Sequence, residues 1–439
     1  RMRDFERLFL DAPESLHETG CAIEGALPEG LEGTLYRNGP GIQRAGSDAL
    51  HLLDGYGLVG AATLGPGGAR FAARHVETPI WKRERSAGRQ LARRAFTNRP
   101  GRWSNLFNLS IGNGAAHDVY RWGEKLLATD NPGHFELDAL TLDTTGRTPL
   151  EHLKATGLDN LAPMPRADPV AGTLVTYAIR PGPLGDTLTF VELKPDWTEA
   201  RRVSRPLGAK GVVLHDLAFT PSCYVAVELG RLSVGRALWG EASLFQSLGF
   251  GPDGALRVWV LPRDGSGSAR PIRLPKGQQG FHLFNAFDRE DGALVVDLVL
   301  YDAWVDFDVL HPPGPRRRGM DAAARVLPRP VRCVAAPGAQ EFEVQRFEAI
   351  GEAPAIHPGR AGQRSRYGWF AAPGERGDED VPGAYFLFHG VGRLDFETGA
   401  QQVWSAGPRA FCPAPSFAPR PGGTDEEDGW LLPYVSDAA

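Results

Sequence analysis

Two apolar, β-favouring stretches each carry one histidine: His215 lies within residues 212–220 and His282 within residues 281–288. Asp216 follows His215 directly, and because strand side chains alternate between faces, we expect the two to point in opposite directions. A buried imidazole needs a partner for its ring nitrogens, which a carboxylate, a backbone carbonyl or a metal ion can provide. Two such histidines far apart in sequence suggest strands that converge on a common axis. By themselves they are either hydrogen-bonded core histidines or part of a metal's ligand set.

The composition predicts the fold class in which these two histidines lie. The 439 residues include 54 glycines and 36 prolines spread along the chain, which is typical of many tight turns between short strands. Acidic-glycine turns recur between the strand-like segments, and no helix-length periodicity accompanies them. We therefore predict an all-β protein, either a propeller or a large sandwich, with a single domain over residues 1–439. The sequence has no clear repeat period, so periodicity does not predict the number of blades.

Charge and cysteine content narrow the functional classes. The formal net charge is −5, so no nucleic-acid partner is predicted, and the arginine-rich stretch 82–94 is interpreted as a solvated face. The sequence as given predicts neither a signal peptide nor an apolar run of membrane-spanning length. Because it begins with Arg1 and ends after a strand-like run at Ala439, we expect truncation at both ends. The cysteines are isolated, which predicts a reduced, cytoplasmic setting; they are Cys21, Cys223, Cys333 and Cys412.

An apolar, glycine-punctuated stretch follows the first histidine strand. Residues 232–250 include Trp239, Phe245 and Phe250. One interpretation is core packing beneath a long insertion. The other is an exposed apolar mouth for a lipid-like substrate or for peripheral contact with a membrane surface.

Six segments in a fixed order resemble the carotenoid cleavage oxygenase family, and together they cover nearly the whole chain. The resemblance implies a seven-bladed β-propeller with an apolar helical or loop dome over one face, its last blade incomplete at the C-terminus. It also implies one Fe(II) on the axis, held by four histidines, three of them backed by glutamates. The matching segments are residues 32–41, 53–59, 214–220, 282–288, 351–354 and 417–422.

Carried over residue by residue, the resemblance makes His215 and His282 catalytic metal ligands. Glu352 matches one of the carboxylates behind the ligands, and Asp130 stands where another is expected, one methylene shorter. Met164 occupies the position of the first histidine ligand, and a thioether is a poor ligand for ferrous iron. Ala414 replaces the third glutamate, and the fourth histidine would lie beyond Ala439. The remaining histidines in this comparison are interpreted as turn or surface residues; they are His117, His134 and His389.

Two functions remain open at this stage. In the first, the protein is a non-haem Fe(II) dioxygenase that uses O₂ to split a C=C bond of an apolar conjugated substrate, apocarotenoid or stilbene-like, into two carbonyls. In the second, it is a degenerate relative that binds an apolar ligand or acts without iron, as Met164 and Ala414 suggest. We favour the oxygenase, because buried polar groups such as His215 and His282 are costly to retain in a core without a role. No convincing pair of carboxylates supports a sugar-acting propeller.

Overall fold

The fold is known from a computed structural model. Residues 1–10 and 438–439, where the sequence analysis predicts truncation, lie outside the described part of the chain. The described residues are 11–12, 14–130, 133–147, 150, 153, 158, 161–307, 326–374, 388–407 and 409–437.

Antiparallel strands form successive sheets along the chain, and each sheet is built almost entirely from strands that are neighbours in sequence. The strands of the first two sheets and of one small hairpin are β1 (Leu16–Cys21), β2 (Gly33–Ile42), β3 (Arg44–Ala45), β4 (Asp48–Ala49), β5 (Tyr56–Gly65), β6 (Gly68–His75), β7 (Asp118–Trp122), β8 (Lys125–Asp130), β9 (Gly133–Leu137) and β10 (Thr144–Arg147). The strands of the next two sheets are β11 (Arg166–Asp168), β12 (Thr173–Arg180), β13 (Thr187–Leu193), β14 (Glu199–Pro206), β15 (Val212–Phe219), β16 (Cys223–Leu232), β17 (Leu248–Gly249), β18 (Arg257–Pro262) and β19 (Arg270–Arg273).

The remaining strands complete two further sheets and two short pairs. They are β20 (Gln279–Asp288), β21 (Leu294–Tyr301), β22 (Pro328–Ala335), β23 (Glu343–Arg346), β24 (Glu352–Ala355), β25 (Tyr367–Ala372), β26 (Gly390–Asp395), β27 (Gln401–Ser405), β28 (Ala410–Phe411), β29 (Ser416–Pro419), β30 (Gly429–Leu432) and β31 (Ser436–Asp437).

The sheets are the blades of an all-β propeller, as the sequence predicts. Within a blade the middle strands are buried on both faces because the neighbouring blades cover them; all eight residues of β21 are buried, for example. The apolar clusters lie between blades, so that side chains of β16, β18 and β21 share one core. The first strands of the fourth, fifth and sixth blades pack side by side, β15 against β20 and β20 against β24. These first strands therefore bring distant parts of the sequence together.

The predicted number of seven blades is wrong: the described residues form six. After β27, the described chain contributes only two pairs of strands, β28 with β31 and β29 with β30, of two and four residues each. A blade requires four strands joined in one ladder. Residues 410–437 contain five prolines, which lack the backbone N–H that such a ladder uses, so long strands are not sustained there.

Two long connections between strands pack against each other as a cap, which we define as residues 79–112 and 233–249. The ring centroids of Phe107 and Trp239, one from each connection, are 5.4 Å apart. The guanidinium of Arg93 donates to the carbonyl oxygen of Ala237 at 3.1 Å. The cap is the counterpart of the predicted dome. It contains the two α-helices α1 (Pro79–Ala87) and α2 (Val234–Leu238) and the 3₁₀ turns Arg102–Asn105 and Phe245–Ser247.

A buried ion pair holds the first half of the cap together. Arg94 and Glu84 are both buried, and Nη2 of Arg94 lies 2.6 Å from Oε2 of Glu84. The other carboxylate oxygen accepts from the backbone N–H groups of Leu91 and Ala92. The interpretation of this arginine-rich stretch as a solvated face is therefore wrong for Arg93 and Arg94. None of the helices in the described ranges is both long enough and apolar enough to cross a membrane.

Candidate functional site

His215 and His282 lie on the first strands of adjacent blades, β15 and β20, and each sits where its strand departs from regular pairing. The register of β15 shifts between Leu214 and Leu217, and that of β20 shifts between Gly280 and Leu283. Irregular pairing of this kind re-aims side chains. Both histidines are partly exposed, the His282 side chain by 22%, although their strands are otherwise largely buried. The two imidazoles therefore face an open space at the hub of the propeller.

The two rings meet nitrogen to nitrogen. Nε2 of His215 lies 3.0 Å from Nε2 of His282, and the ring centroids are 4.8 Å apart. Two nitrogens bound to one first-row metal ion at about 2.1 Å and at right angles to each other are about 3.0 Å apart. The predicted convergence of these two histidines is therefore found in the structure. Their separation suits either a direct hydrogen bond or a shared cation.

Glu352, the first residue of β24, lies behind His282. Its Oε2 is 2.6 Å from Nδ1 of His282, and its Oε1 accepts from the hydroxyl of Tyr301 at 3.0 Å. The backbone N–H of Ala353 also donates to this carboxylate. Because a carboxylate accepts at Nδ1, the neutral His282 ring carries its proton there and presents a lone pair at Nε2. A carboxylate behind an imidazole is the usual arrangement at metal-bound histidines.

The electrostatic environment separates the two rings. Burial lowers the pKa of His215 well below its usual value, and the neighbouring His282 and His117 lower it further. Burial also lowers the pKa of His282, but the negative charge of Glu352 and its hydrogen bond outweigh this effect and leave that pKa raised. His215 is therefore the neutral partner, and a proton or a metal cation at the pair is stabilised through His282 and Glu352.

Asp216 is a structural residue of this site. It is buried, and its Oδ2 accepts from Nη2 of Arg166 at 2.9 Å and from the backbone N–H of Leu283 at 2.7 Å. The carboxylate thus joins β15 to β20 one residue beyond each histidine. Charge-assisted hydrogen bonds of this kind are strong, so the spacing of the two imidazoles is held from behind.

His117, interpreted from the sequence as a turn or surface residue, lies beside His215 in the structure. It directly precedes β7, and its ring centroid lies 5.8 Å from that of His215, with the planes inclined by 26°. The signal available in the sequence was its position immediately before a strand that opens a blade. The other two histidines with that interpretation are both less exposed than His117. His134 is buried beside the hydroxyl of Tyr120, and His389 is half-buried against the carbonyl of Ala410.

The structure describes the three positions at which this chain departs from the family pattern. Met164 is half-buried, two residues before β11, and the carbonyl of Ala414 accepts from Arg37. Asp130 ends β8 and lies near enough to Asp54 to add to the burial that raises the pKa of that carboxyl to about 7. A role for Asp130 behind a metal ligand stays a prediction. In the described ranges, no three His, Cys, Asp or Glu side chains are already grouped to hold a metal ion.

One wall beside the imidazoles is aromatic. The ring of Phe281 lies 4.2 Å from that of His215 and 5.7 Å from that of Phe307, centroid to centroid. Phe307 in turn contacts Phe245, which stacks on Phe96 at 3.8 Å. Since Phe96 and Phe245 belong to the cap, aromatic surface runs without a break from the hub to the cap.

A separate cavity of about 860 Å³ lies between the third and fourth blades and the cap, with Lys210, Arg231 and Trp259 among its lining residues. None of the hub imidazoles lines it. Its size alone does not make it the reaction site, because it lacks the converging nitrogens and the carboxylate described above.

Comparison with known proteins identifies the family to which this chain belongs. The sequence pattern of the retinal pigment epithelial membrane protein family matches residues 9–439. The chain belongs to this family. It is the carotenoid cleavage oxygenase family that the motifs resemble, and the predicted membership is confirmed, as is the prediction of an enzyme of the carotenoid-cleavage type.

Members of the family align with nearly the whole of this chain. Apocarotenoid-15,15'-oxygenase from Synechocystis is 30% identical, covering 95% of this chain and 84% of the relative. Isoeugenol monooxygenase from Pseudomonas putida is 26% identical, covering 94% and 85%. Solved structures of Synechocystis apocarotenoid oxygenase include a mutant with a TM-score of 0.88 and a cobalt-substituted form with 0.87; each is 29% identical and covers all of this chain and 91% of the solved one.

Proposed function

We propose that this protein is a non-haem Fe(II)-dependent oxygenase that splits a C=C bond of an apolar conjugated substrate, apocarotenoid or stilbene-like, into two carbonyl products. The observation that carries the proposal is the convergence of the His215 and His282 nitrogens at 3.0 Å, with Glu352 behind one of them. The relatives support the substrate class, since they are named for cleavage or oxidation of apocarotenoids, isoeugenol and resveratrol.

The donor set suits ferrous iron. Neutral imidazoles are common iron ligands, and they leave positions open for O₂ without adding negative charge. His215 and His282 would hold the ion through Nε2. When bound, the iron supplies the redox chemistry for the addition of O₂ across a double bond, in which one C=C and one O₂ become two C=O groups.

The residues of the chain do the positioning. Glu352 accepts the Nδ1 proton of His282 and so keeps the Nε2 lone pair facing the hub, while the hydroxyl of Tyr301 holds Glu352 in that orientation. The rings of Phe281 and Phe307 exclude water beside the imidazoles and offer an apolar surface to a flat conjugated chain.

The test is metal analysis combined with product analysis on the purified protein. We expect iron at about one per chain and carbonyl products from an apocarotenoid aldehyde or from resveratrol, with ¹⁸O from ¹⁸O₂ in both products. His215→Ala and His282→Ala lose the iron and the products. Iron-free protein that retains a bound apolar ligand but gives no cleavage would favour the degenerate relative, which the substitutions at Met164 and Ala414 suggest.

A further inference from the structure

His117 occupies the hub beside the two predicted ligands. Its backbone N–H donates to the carbonyl of Thr129 at 2.9 Å, which fixes the main chain at the entrance of β7. Its ring lies 5.8 Å from that of His215 and close enough to His282 for the two charges to interact. A third imidazole therefore stands next to the pair, supplied by the second blade.

The ring nitrogens of His117 have no hydrogen-bond partner among the described residues, in contrast to other interior histidines. His51 bonds to the carbonyl of Phe307 and His134 to Tyr120. The His117 side chain is exposed, and its ring is inclined by only 26° to that of His215. A neutral imidazole at this place has one lone pair available to a metal ion.

The third blade lacks the imidazole that the family pattern would place there, since Met164 stands at that position. Two histidines alone make a weak site for ferrous iron, whereas three protein ligands are a common solution. An imidazole from a neighbouring blade is chemically the better substitute, because nitrogen suits this ion and a thioether does not.

We propose that His117 is the third imidazole ligand of the metal centre, so that a ligand from the second blade takes the place of the one that Met164 removes from the third. The inference rests on the proposed function. In the described ranges the three side chains do not yet form a coordinating group. Ligation therefore requires the exposed ring to turn about χ1 and χ2 while the main chain stays held at Thr129.

The experiment is a Co²⁺ titration of the metal-free protein of residues 1–439, followed by visible absorption and by X-ray absorption counting of imidazole ligands. We expect three imidazoles in the unaltered protein. His117→Gly lowers the count by one, changes the d–d spectrum and weakens Co²⁺ affinity by at least about tenfold. Met164→Leu is the matched control, which leaves all three readouts unchanged.

Chemical rescue separates ligation from a structural role. Free imidazole fits the space left in His117→Gly and should restore the spectrum and the ligand count. If His117 only packed against its neighbours, added imidazole would restore neither. Unchanged Co²⁺ affinity and spectrum in His117→Gly, or a loss in Met164→Leu instead, would overturn the inference and leave the proposed function standing. If the unaltered protein binds neither Co²⁺ nor iron, the proposed function and the inference both fail.

Discussion

The hydrogen bond between Nδ1 of His282 and Oε2 of Glu352 determines which nitrogen of this imidazole carries the proton. Without a carboxylate at that position, either tautomer would be available, and the one protonated at Nε2 would direct an N–H towards the hub. Glu352 is itself held by the hydroxyl of Tyr301 and by a backbone N–H, so the orientation extends over three residues. At the scale of single residues, the site is organised by the hydrogen bonds that the Glu352 carboxylate accepts.

Glu352→Gln should weaken metal binding without unfolding the protein. An amide keeps the shape but removes the charge that makes Nε2 of His282 a good donor, and loss of such a partner typically costs about 10–100-fold in metal affinity. Competition titration of Fe²⁺ or Co²⁺ measures the effect. Glu290→Gln, at an exposed carboxylate after β20, is the control and should bind as the unaltered protein does. Equal metal affinities in the two variants would show that Glu352 does not support metal binding.

His134 should make stability depend on pH. Burial lowers its pKa from 6.5 to about 4, so between those values the unfolded chain binds the proton more readily than the folded one. Stability is therefore full above about pH 6.5 and falls as the pH drops towards 4. The loss attributable to His134 between pH 7.5 and pH 5 is about 2 kcal/mol.

Urea unfolding of His134→Gln at the two pH values checks this expectation. The variant titrates no imidazole at this position, so its unfolding free energy should change less with pH by about that amount. His17→Gln, at an exposed histidine, should keep the full pH dependence. An unchanged slope in His134→Gln would mean that the ring is not kept neutral by the fold.

At the scale of elements, the first strands of three blades become irregular where they reach the hub. The register shifts around His215 in β15 and around His282 in β20, and again after Glu352 in β24. A regular strand would send alternate side chains into the interfaces between blades. The irregular pairing instead directs two imidazoles and one carboxylate towards each other. In β24 the departure includes Ala353, whose φ is +55°.

Ala353→Gly should raise stability slightly. An L side chain at positive φ costs about 1–2 kcal/mol, and glycine removes that cost. Glycine also destabilises the fold by about 0.5–1 kcal/mol, because it loses more backbone freedom on folding than alanine does. The expected net gain is about 0.5–1 kcal/mol, measured by urea unfolding. Ala371→Gly, at the buried partner of Glu352 in β25, is the matched control and should lower stability, because its backbone is ordinary strand. A loss in both variants would show that Ala353 is not strained.

At the scale of the whole molecule, the cap both closes the hub and presents apolar surface outward. Phe245 and Phe96 continue the aromatic wall inside it, while Trp103, Phe107 and Trp239 are 78%, 67% and 52% exposed on its outside. Within residues 232–250, Phe245 packs against Phe96 as the packing interpretation expects, and Trp239 is exposed. The interpretation as a mouth for a substrate or a membrane contact stays a prediction. Exposed aromatic clusters are typical of contact sites.

Peripheral membrane contact stays a prediction, and the exposed aromatic residues make it testable. Replacing Trp103, Phe107 and Trp239 by serine should reduce co-sedimentation with phosphatidylcholine vesicles severalfold, because apolar area is lost from the contact. Thermal unfolding should stay close to that of the unaltered protein, since these side chains are mostly exposed. Leu140→Ser and Leu184→Ser, at exposed leucines outside the cap, are the control. Equal sedimentation of all variants would exclude the cap as the contact.

The sequence by itself determined the strand-rich fold, the family, the two histidine strands and Glu352, because alternating or continuous apolar runs, turn residues and ordered motifs are local properties. It did not determine the number of blades, which depends on whether the proline-rich last segment completes a four-stranded ladder. Nor did it show that His117 reaches the hub, because that depends on how the first strand of one blade lies relative to another. Proximity between residues a hundred positions apart arises only when the blades close around an axis, and the tertiary structure alone decides it.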